Sequence, residues 1–274
     1  HMIQEIYNGS DESILEETFT KGLGELKFYH PVGTFSITPA SRILFQAIID
    51  NQEILHGIGI DWGCGIGCQA ILAAKITAVQ EVYGLDISKE NINIARKNAE
   101  DNGVAAKTRF ALADSHLPFQ EDDKQMMQAL KGKVDFILSN PPSSDWDDGF
   151  GFRRMVLAGA KEYLKENGVV LLNASFQYGL ARVRALSESL SGFQYAGVLA
   201  STDGVPFDLS RADLLDCLKT YAKEEQNGGI DYTFIANEAD ERSYVNARTA
   251  LRTFEETGAS PITKWQTHLF RYLG

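Results

Sequence analysis

The chain has 274 residues, 44% hydrophobic and 23% charged, enough to bury a sizeable core without disulfide or metal staples. A net charge of −11 supplies no general surface for neutralising phosphates, which disfavours a nucleic-acid partner. Apolar runs such as Gly168–Ala174 are only strand-length, so no membrane span is expected.

The first twenty residues carry several acids and no apolar run of signal-peptide type, and His1 ahead of Met2 reads as an added residue. The three cysteines, Cys64, Cys68 and Cys217, are expected to be reduced thiols in a cytoplasmic protein. Cys64 and Cys68 have no further ligands near them in sequence, so no metal site is expected.

Residues 2–56 form a lead-in or cap. Pro39 opens a helix over 40–50. From Gly57 onward, short apolar runs alternate with amphipathic stretches, the pattern of a parallel sheet with crossover helices. The strands are expected at 57–62, 81–85, 108–112, 134–139, 169–173 and 194–200. Helices are expected at 65–76, at 89–102 with Ser88 as N-cap and Gly103 as stop, and near 153–165 and 180–190. A closing strand over 264–273 completes a doubly wound, seven-stranded, mostly parallel α/β sheet. The core is then 57–202 with 264–274. Residues 203–263 are an insertion bordering the substrate site, with helices at 211–223 and 240–256 and a strand at 231–236.

The densest signal is Asp61-Trp62-Gly63-Cys64-Gly65-Ile66-Gly67, an apolar strand running into a glycine turn. Such a turn brings backbone close to a ligand at a strand's carboxyl end. The position three after Gly65 is Cys68, so the dinucleotide fingerprint fails, and no Gly-Lys-Ser/Thr follows, so a phosphate loop is excluded. Asp86 and Asp114 close the next two strands. A carboxylate at 86 suits a ribose diol and one at 114 an adenine amino group. Ile87 is placed to pack on the base, beside Ser115.

The second signal is Ser139-Asn140-Pro141-Pro142-Ser143 at the end of the fourth strand. Two prolines fix φ and hold Asn140 in place. Its side-chain oxygen and the following carbonyl can accept two hydrogen bonds from an amino group. Positioning of this kind favours transfer to nitrogen without a strong base.

Together these motifs resemble the class I methyltransferases, which use S-adenosylmethionine on a Rossmann-like fold. The Asn-Pro-Pro triplet is similar to that of amino-methyltransferases acting on adenine N6, on guanine N2 of ribosomal RNA, and on glutamine N5 of release factors. The segment Phe35–Arg42 resembles the stretch before the core in the ribosomal-RNA members, and the likeness spans residues 35–200. It implies that Asp61, Gly63, Cys64, Gly65, Gly67, Asp86, Ile87, Asp114, Ser115 and Asn140 hold the cofactor, and that Asn140, Pro141 and Pro142 hold the acceptor. The family places an aromatic ring after the prolines. This chain has Ser143, then Ser144-Asp145-Trp146-Asp147-Asp148, so Trp146 is expected to supply a face and the acids to suit a cationic or polar substrate. With His30 as a further contact, the favoured acceptor is a small molecule or protein side chain, with RNA second. An oxygen-directed enzyme and a non-catalytic cofactor-binding subunit are the other readings.

Overall fold

A computed structural model describes residues 11–34 and 37–274. Phe35 and Ser36, part of the segment likened to ribosomal-RNA enzymes, lie outside the described residues. The chain begins with a hairpin, β1 (Glu12–Leu15) and β2 (Leu26–Tyr29), around the short helix α1 (Glu17–Thr20). Helix α2 (Pro39–Asp50) starts where a capping box forms: Thr38 Oγ1 accepts from Ser41 N–H, and Thr38 N–H donates to Ser41 Oγ.

The alternating unit follows as β3 (Gly57–Trp62), α3 (Cys68–Ala74), β4 (Val79–Asp86), α4 (Lys89–Asp101), β5 (Thr108–Asp114), β6 (Leu117–Pro118), α5 (Glu121–Leu130), β7 (Val134–Ser139), α6 (Gly151–Tyr163), β8 (Leu164–Asn173), α7 (Leu180–Glu188) and β9 (Phe193–Ser201). Beyond it lie β10 (Val205–Pro206), α8 (Ala212–Gln226), β11 (Phe234–Asn237), β12 (Asp240–Val245), α9 (Ala247–Thr257), β13 (Ile262–Thr263) and β14 (Gln266–Tyr272).

The main sheet has the order β6-β5-β4-β3-β7-β8-β14-β9. Strands β5, β4, β3, β7 and β8 are parallel, while β14 and β9 close one edge antiparallel. From β3 the chain first builds outward through β4 and β5, then returns to build the other side from β7. Ligands in open α/β sheets bind at such a reversal. Register sharpens the point: Trp62 lies opposite Leu85 on one side and Ser139 on the other. Gly63, Asp86 and Asn140 therefore leave three adjacent strands at one level.

Alternation along the strands splits the core in two. Phe136, Leu138 and Leu171 pack toward α2, α3 and α4 through Phe45, Ile71 and Ala95. Ile137, Val170 and Leu172 pack the other way, toward Met127, Val156, Leu157 and Val183 on α5–α7. Tyr232, Phe234 and Phe207 continue that second core into the small sheet β10-β13-β11-β12.

The expected helix over 240–256 is a correction. Residues Asp240–Val245 are strand β12, paired with β11 through Ile235–Tyr244 and Phe234–Val245. The helix starts only at Ala247, because the Asn246 side chain accepts from Thr249 N–H and so caps it there. Helix α3 likewise begins at Cys68, behind Gly67 in the left-handed region, and not at Gly65.

Candidate active site

The Gly63–Gly67 turn is fastened from both neighbours. Cys64 N–H donates to Leu85 O (2.9 Å), and Gly67 N–H to Cys64 O (2.9 Å). Gly65 N–H donates to Asp86 Oδ2 (2.9 Å). The other Asp86 oxygen accepts from Ser88 N–H (2.8 Å) and Asn91 Nδ2 (3.3 Å). One carboxylate thus locks the turn of β3 to the loop after β4 and, with three of its about four lone-pair sites used, keeps one to offer a ligand hydroxyl.

These groups border a cleft of about 560 Å³ that also touches Trp62, Ile87, Asp114, Ser115 and Asn140–Pro142. Ile87 is exposed into it, 67% accessible. Trp62 Nε1 donates to Ser115 Oγ (2.9 Å), which fixes the indole as a wall. Ser115 itself sits at φ 55. Among the described residues, two carboxylates line this cleft and no lysine or arginine does. A phosphate ligand would meet no counter-charge there, whereas a cationic nucleoside fits.

Asp61 takes a different place from the one expected. It does not line the cleft; it is fully buried beneath the turn, where Oδ2 accepts from Ala70 N–H (3.2 Å) and Oδ1 has no protein partner. Burial, opposed by the Ala70 hydrogen bond and reinforced by the charge of Asp86, holds its carboxyl well above the usual range. An unsatisfied buried carboxyl beside a cation site is the feature an ammonium group would relieve. Gly67 also stands back: its position packs against Ala95, Ile71 and Phe110 and is absent from the cleft wall.

Asn140 and Pro141 form a partition. They line the first cleft and also a second cavity of about 240 Å³, walled by Ser143, Arg153, Gln177, Tyr178, Phe207 and Tyr221. The loop is held from α6: Arg153 Nη2 donates to Pro141 O (3.4 Å), Nη1 to Gly149 O (3.3 Å) and Nε to Asn173 O (2.7 Å). Ser143 hydrogen-bonds Tyr178 through their hydroxyls.

Several expected contacts are not brought here. His30 is buried in the β1–β2 hairpin against Ser13 Oγ (2.7 Å) and lines neither cavity. Trp146 stays 60% exposed and packs edge-on to Phe152 at 4.8 Å, so it supplies no face to the second cavity. Two of the acids beside it are engaged by arginines. Asp148 pairs with Arg154 (2.7 Å) and Arg182 (3.2 Å), and Asp147 with Arg154 (3.2 Å). Burial would raise the Asp148 carboxyl, but hydrogen bonds from Arg154 and Phe150 N–H and both arginine charges bring it below the usual carboxylate range. Arg153, on α6, is 4% exposed despite its charge.

The aromatic face comes from residues that the sequence did not single out. Tyr178 follows β8, Tyr221 lies on α8 and Phe207 follows β10. Tyr221 stacks on Tyr232 at 3.8 Å and 11°. Their spacing carries no local signature; the β14–β8 pairing, the Thr233 N–H to Gln177 O hydrogen bond and the Tyr178–Tyr221 ring contact bring this segment against the core. Among the described residues, no group of three or more potential metal ligands lies together, and no helix is long and apolar enough to cross a membrane.

Comparison with known proteins shows what the chain is similar to. The family described as the methyltransferase small domain matches residues 25–198. A release factor glutamine methyltransferase of Thermodesulfovibrio yellowstonii is 23% identical over 205 residues, 67% of this chain and 72% of its own length. A ribosomal protein uL3 glutamine methyltransferase of Neisseria meningitidis is 25% identical over 219 residues, 70% of this chain and 66% of its own. In fold, the chain is similar to a T. thermophilus 16S rRNA N2 methyltransferase solved with AdoMet and guanosine, with TM-score 0.51 and 22% identity, covering 68% of this chain and 47% of that one.

Proposed function

The chain belongs to the methyltransferase small-domain family, whose methyl donor is S-adenosylmethionine, and from that premise we propose that it methylates a planar nitrogen, the primary carboxamide of a protein side chain. The observation that carries this reading is the shared wall: Asn140 and Pro141 face the larger cleft on one side and the aromatic cavity on the other. The two curated relatives above are both named as glutamine methyltransferases, which supports the same acceptor class.

Gly63, Cys64, Gly65, Asp86, Ile87, Asp114 and Ser115 would hold the cofactor, with the buried Asp61 carboxyl beneath the turn they form. When bound, S-adenosylmethionine supplies an electrophilic methyl on a sulfonium. Asn140 Oδ1 and Pro141 O accept the two N–H groups of the acceptor, which fixes its orientation at the partition. Pro141 O already takes one hydrogen bond from Arg153 and has a second lone pair to offer. Among the described residues the smaller cavity has no carboxylate, histidine or lysine in its wall, so the protein's contribution is positioning and not a strong base, and the proton that the nitrogen sheds once methylated leaves to solvent. Residues 203–263 act as the acceptor-side wall through Phe207, Leu214, Cys217 and Tyr221, on a core of 57–202 and 264–274 with 1–56 as its lead-in.

Asn140→Ala tests this directly. Removing one of two positioning acceptors is expected to lower the transfer rate about 10²–10³-fold while S-adenosylmethionine binding stays within about threefold. A rate within about fivefold of wild type would refute the nitrogen reading and favour an oxygen acceptor.

A further inference from the structure

The smaller cavity carries one formal charge, and it is positive. Arg153 is buried, and each of its three nitrogens donates to one backbone carbonyl, on Asn173, Gly149 and Pro141. A guanidinium has five N–H groups, so two remain uncommitted among the described residues. Its nearby acid, Asp148, is paired elsewhere, with Arg154 and Arg182. No aspartate or glutamate lines the cavity. A buried cation without a counter-charge is costly unless something supplies acceptor oxygens.

A second donor sits in the same wall. Gln177 is 5% exposed, and its Oε1 accepts from Thr263 Oγ1 (2.6 Å). Thr263 thereby orients the amide, and Gln177 Nε2 has no protein partner among the described residues. The cavity thus opposes two acceptors, Asn140 Oδ1 and Pro141 O, with two donor side chains, Arg153 and Gln177.

We propose that Arg153 and Gln177 form an oxygen-reading subsite, so that the methyl acceptor enters with a carbonyl or carboxylate oxygen beside its nitrogen and cationic acceptors are rejected. This rests on the reading of the smaller cavity as the acceptor site and narrows it: carboxamides are admitted, while amidinium, guanidinium and ammonium groups are not. The acidic loop after the prolines does not reverse the preference: Asp147 and Asp148 face arginines, and none of Asp145, Asp147 and Asp148 is in the cavity wall.

Three isosteric planar probes separate the possibilities: benzamide, benzoate and benzamidine, titrated into the protein saturated with S-adenosylhomocysteine. The wild type is expected to bind benzamide and benzoate at least about tenfold more tightly than benzamidinium, a difference of about 1.4 kcal/mol. Arg153→Met should erase the benzoate preference. Gln177→Glu, which Thr263 can still hydrogen-bond, should shift it toward benzamidinium. Should Arg153→Met lose S-adenosylhomocysteine binding and helical circular dichroism, Gln177→Glu alone decides. Equal binding of the three probes, or a preference unmoved by the decisive variant, overturns the subsite. Methyl transfer is read separately: a retained probe preference without transfer to protein would defeat the proposed activity alone, and retained transfer without preference would defeat the subsite alone.

Discussion

Gly63 and Gly67 occupy the same turn with the same kind of backbone, yet substitution to alanine should separate cofactor binding from stability. Both have positive φ, 66° at Gly63 and 91° at Gly67. A side chain in that region costs about 1–2 kcal/mol. At Gly63 an added Cβ meets no heavy atom within 4 Å, so strain is its whole folding cost. At Gly67 the Cβ would lie 3.1 Å from Ala95 Cβ and 3.2 Å from both Ile71 Cδ1 and Phe110 Cζ. Crowding of that kind adds about 1–3 kcal/mol. Gly67→Ala should therefore lose about 2–5 kcal/mol of stability and Gly63→Ala about 1–2, read from urea midpoints at unchanged m-value. Binding should run the other way. Gly63 lines the cleft, and a methyl there displaces ligand; Gly67 does not line it. Calorimetric titration with S-adenosylmethionine should show at least about a tenfold weaker Kd for Gly63→Ala, about 1.4 kcal/mol, and a change within about threefold for Gly67→Ala. Equal stability losses, or the greater loss of affinity at Gly67, would refute the assignment of this turn.

Asp86→Asn should weaken S-adenosylmethionine about 10- to 100-fold, because a charged acceptor worth about 1.5–3 kcal/mol per hydrogen bond becomes a half-donor facing Gly65 and Ser88 N–H groups; an unchanged Kd would remove Asp86 from the site. Burial lowers His116 and His268 to about 4 from an ordinary 6.5. Their folded-state affinity for protons is thus the weaker one, so the unfolded chain binds more protons between those values and stability falls as pH drops through 6.5 toward 4. The loss is about 2 kcal/mol for each at about pH 5. Urea titrations from pH 7 to 5 should show that fall, with a shallower slope in His116→Asn; a slope identical to wild type would contradict the buried neutral imidazole. Trp146→Ala should leave the acceptor KM within about twofold, whereas Tyr221→Ala, which removes a cavity wall, should raise it about tenfold; the reverse order would restore Trp146 as the stacking face.

The parallel core was legible because its strands are continuous apolar runs with sharp ends. Strands 57–62 and 134–139 fall where the sequence places them, and Ser88 caps its helix through Asn91 N–H. Helix α5 was not legible, since it buries only Met127 and Leu130 and so shows no apolar stripe. Strand β12 reads as helix because its exposed positions carry Asp240, Glu241 and Arg242, and its pairing with β11 is the only thing that extends it. The donor side of the site lay within contiguous motifs at strand ends. The acceptor side did not: Arg153, Gln177, Phe207 and Tyr221 come from four separate elements or loops and meet only in the folded chain. Asp61 shows the complementary limit. It stands just before the glycines in sequence, but burial turns its carboxylate under them, and sequence spacing carries no information on that direction.

Methyl transfer from S-adenosylmethionine to a protein carboxamide nitrogen across the Asn140-Pro141 wall leaves a labelled product. Its most direct test is to incubate the protein with methyl-labelled S-adenosylmethionine and cell extract, then separate protein, RNA and small-molecule pools and digest the labelled protein to amino acids. Label is expected in the protein pool, stable to mild base and recovered on an amide-bearing side chain. Label confined to RNA or small molecules, or released by mild base as from a carboxyl ester, would contradict it.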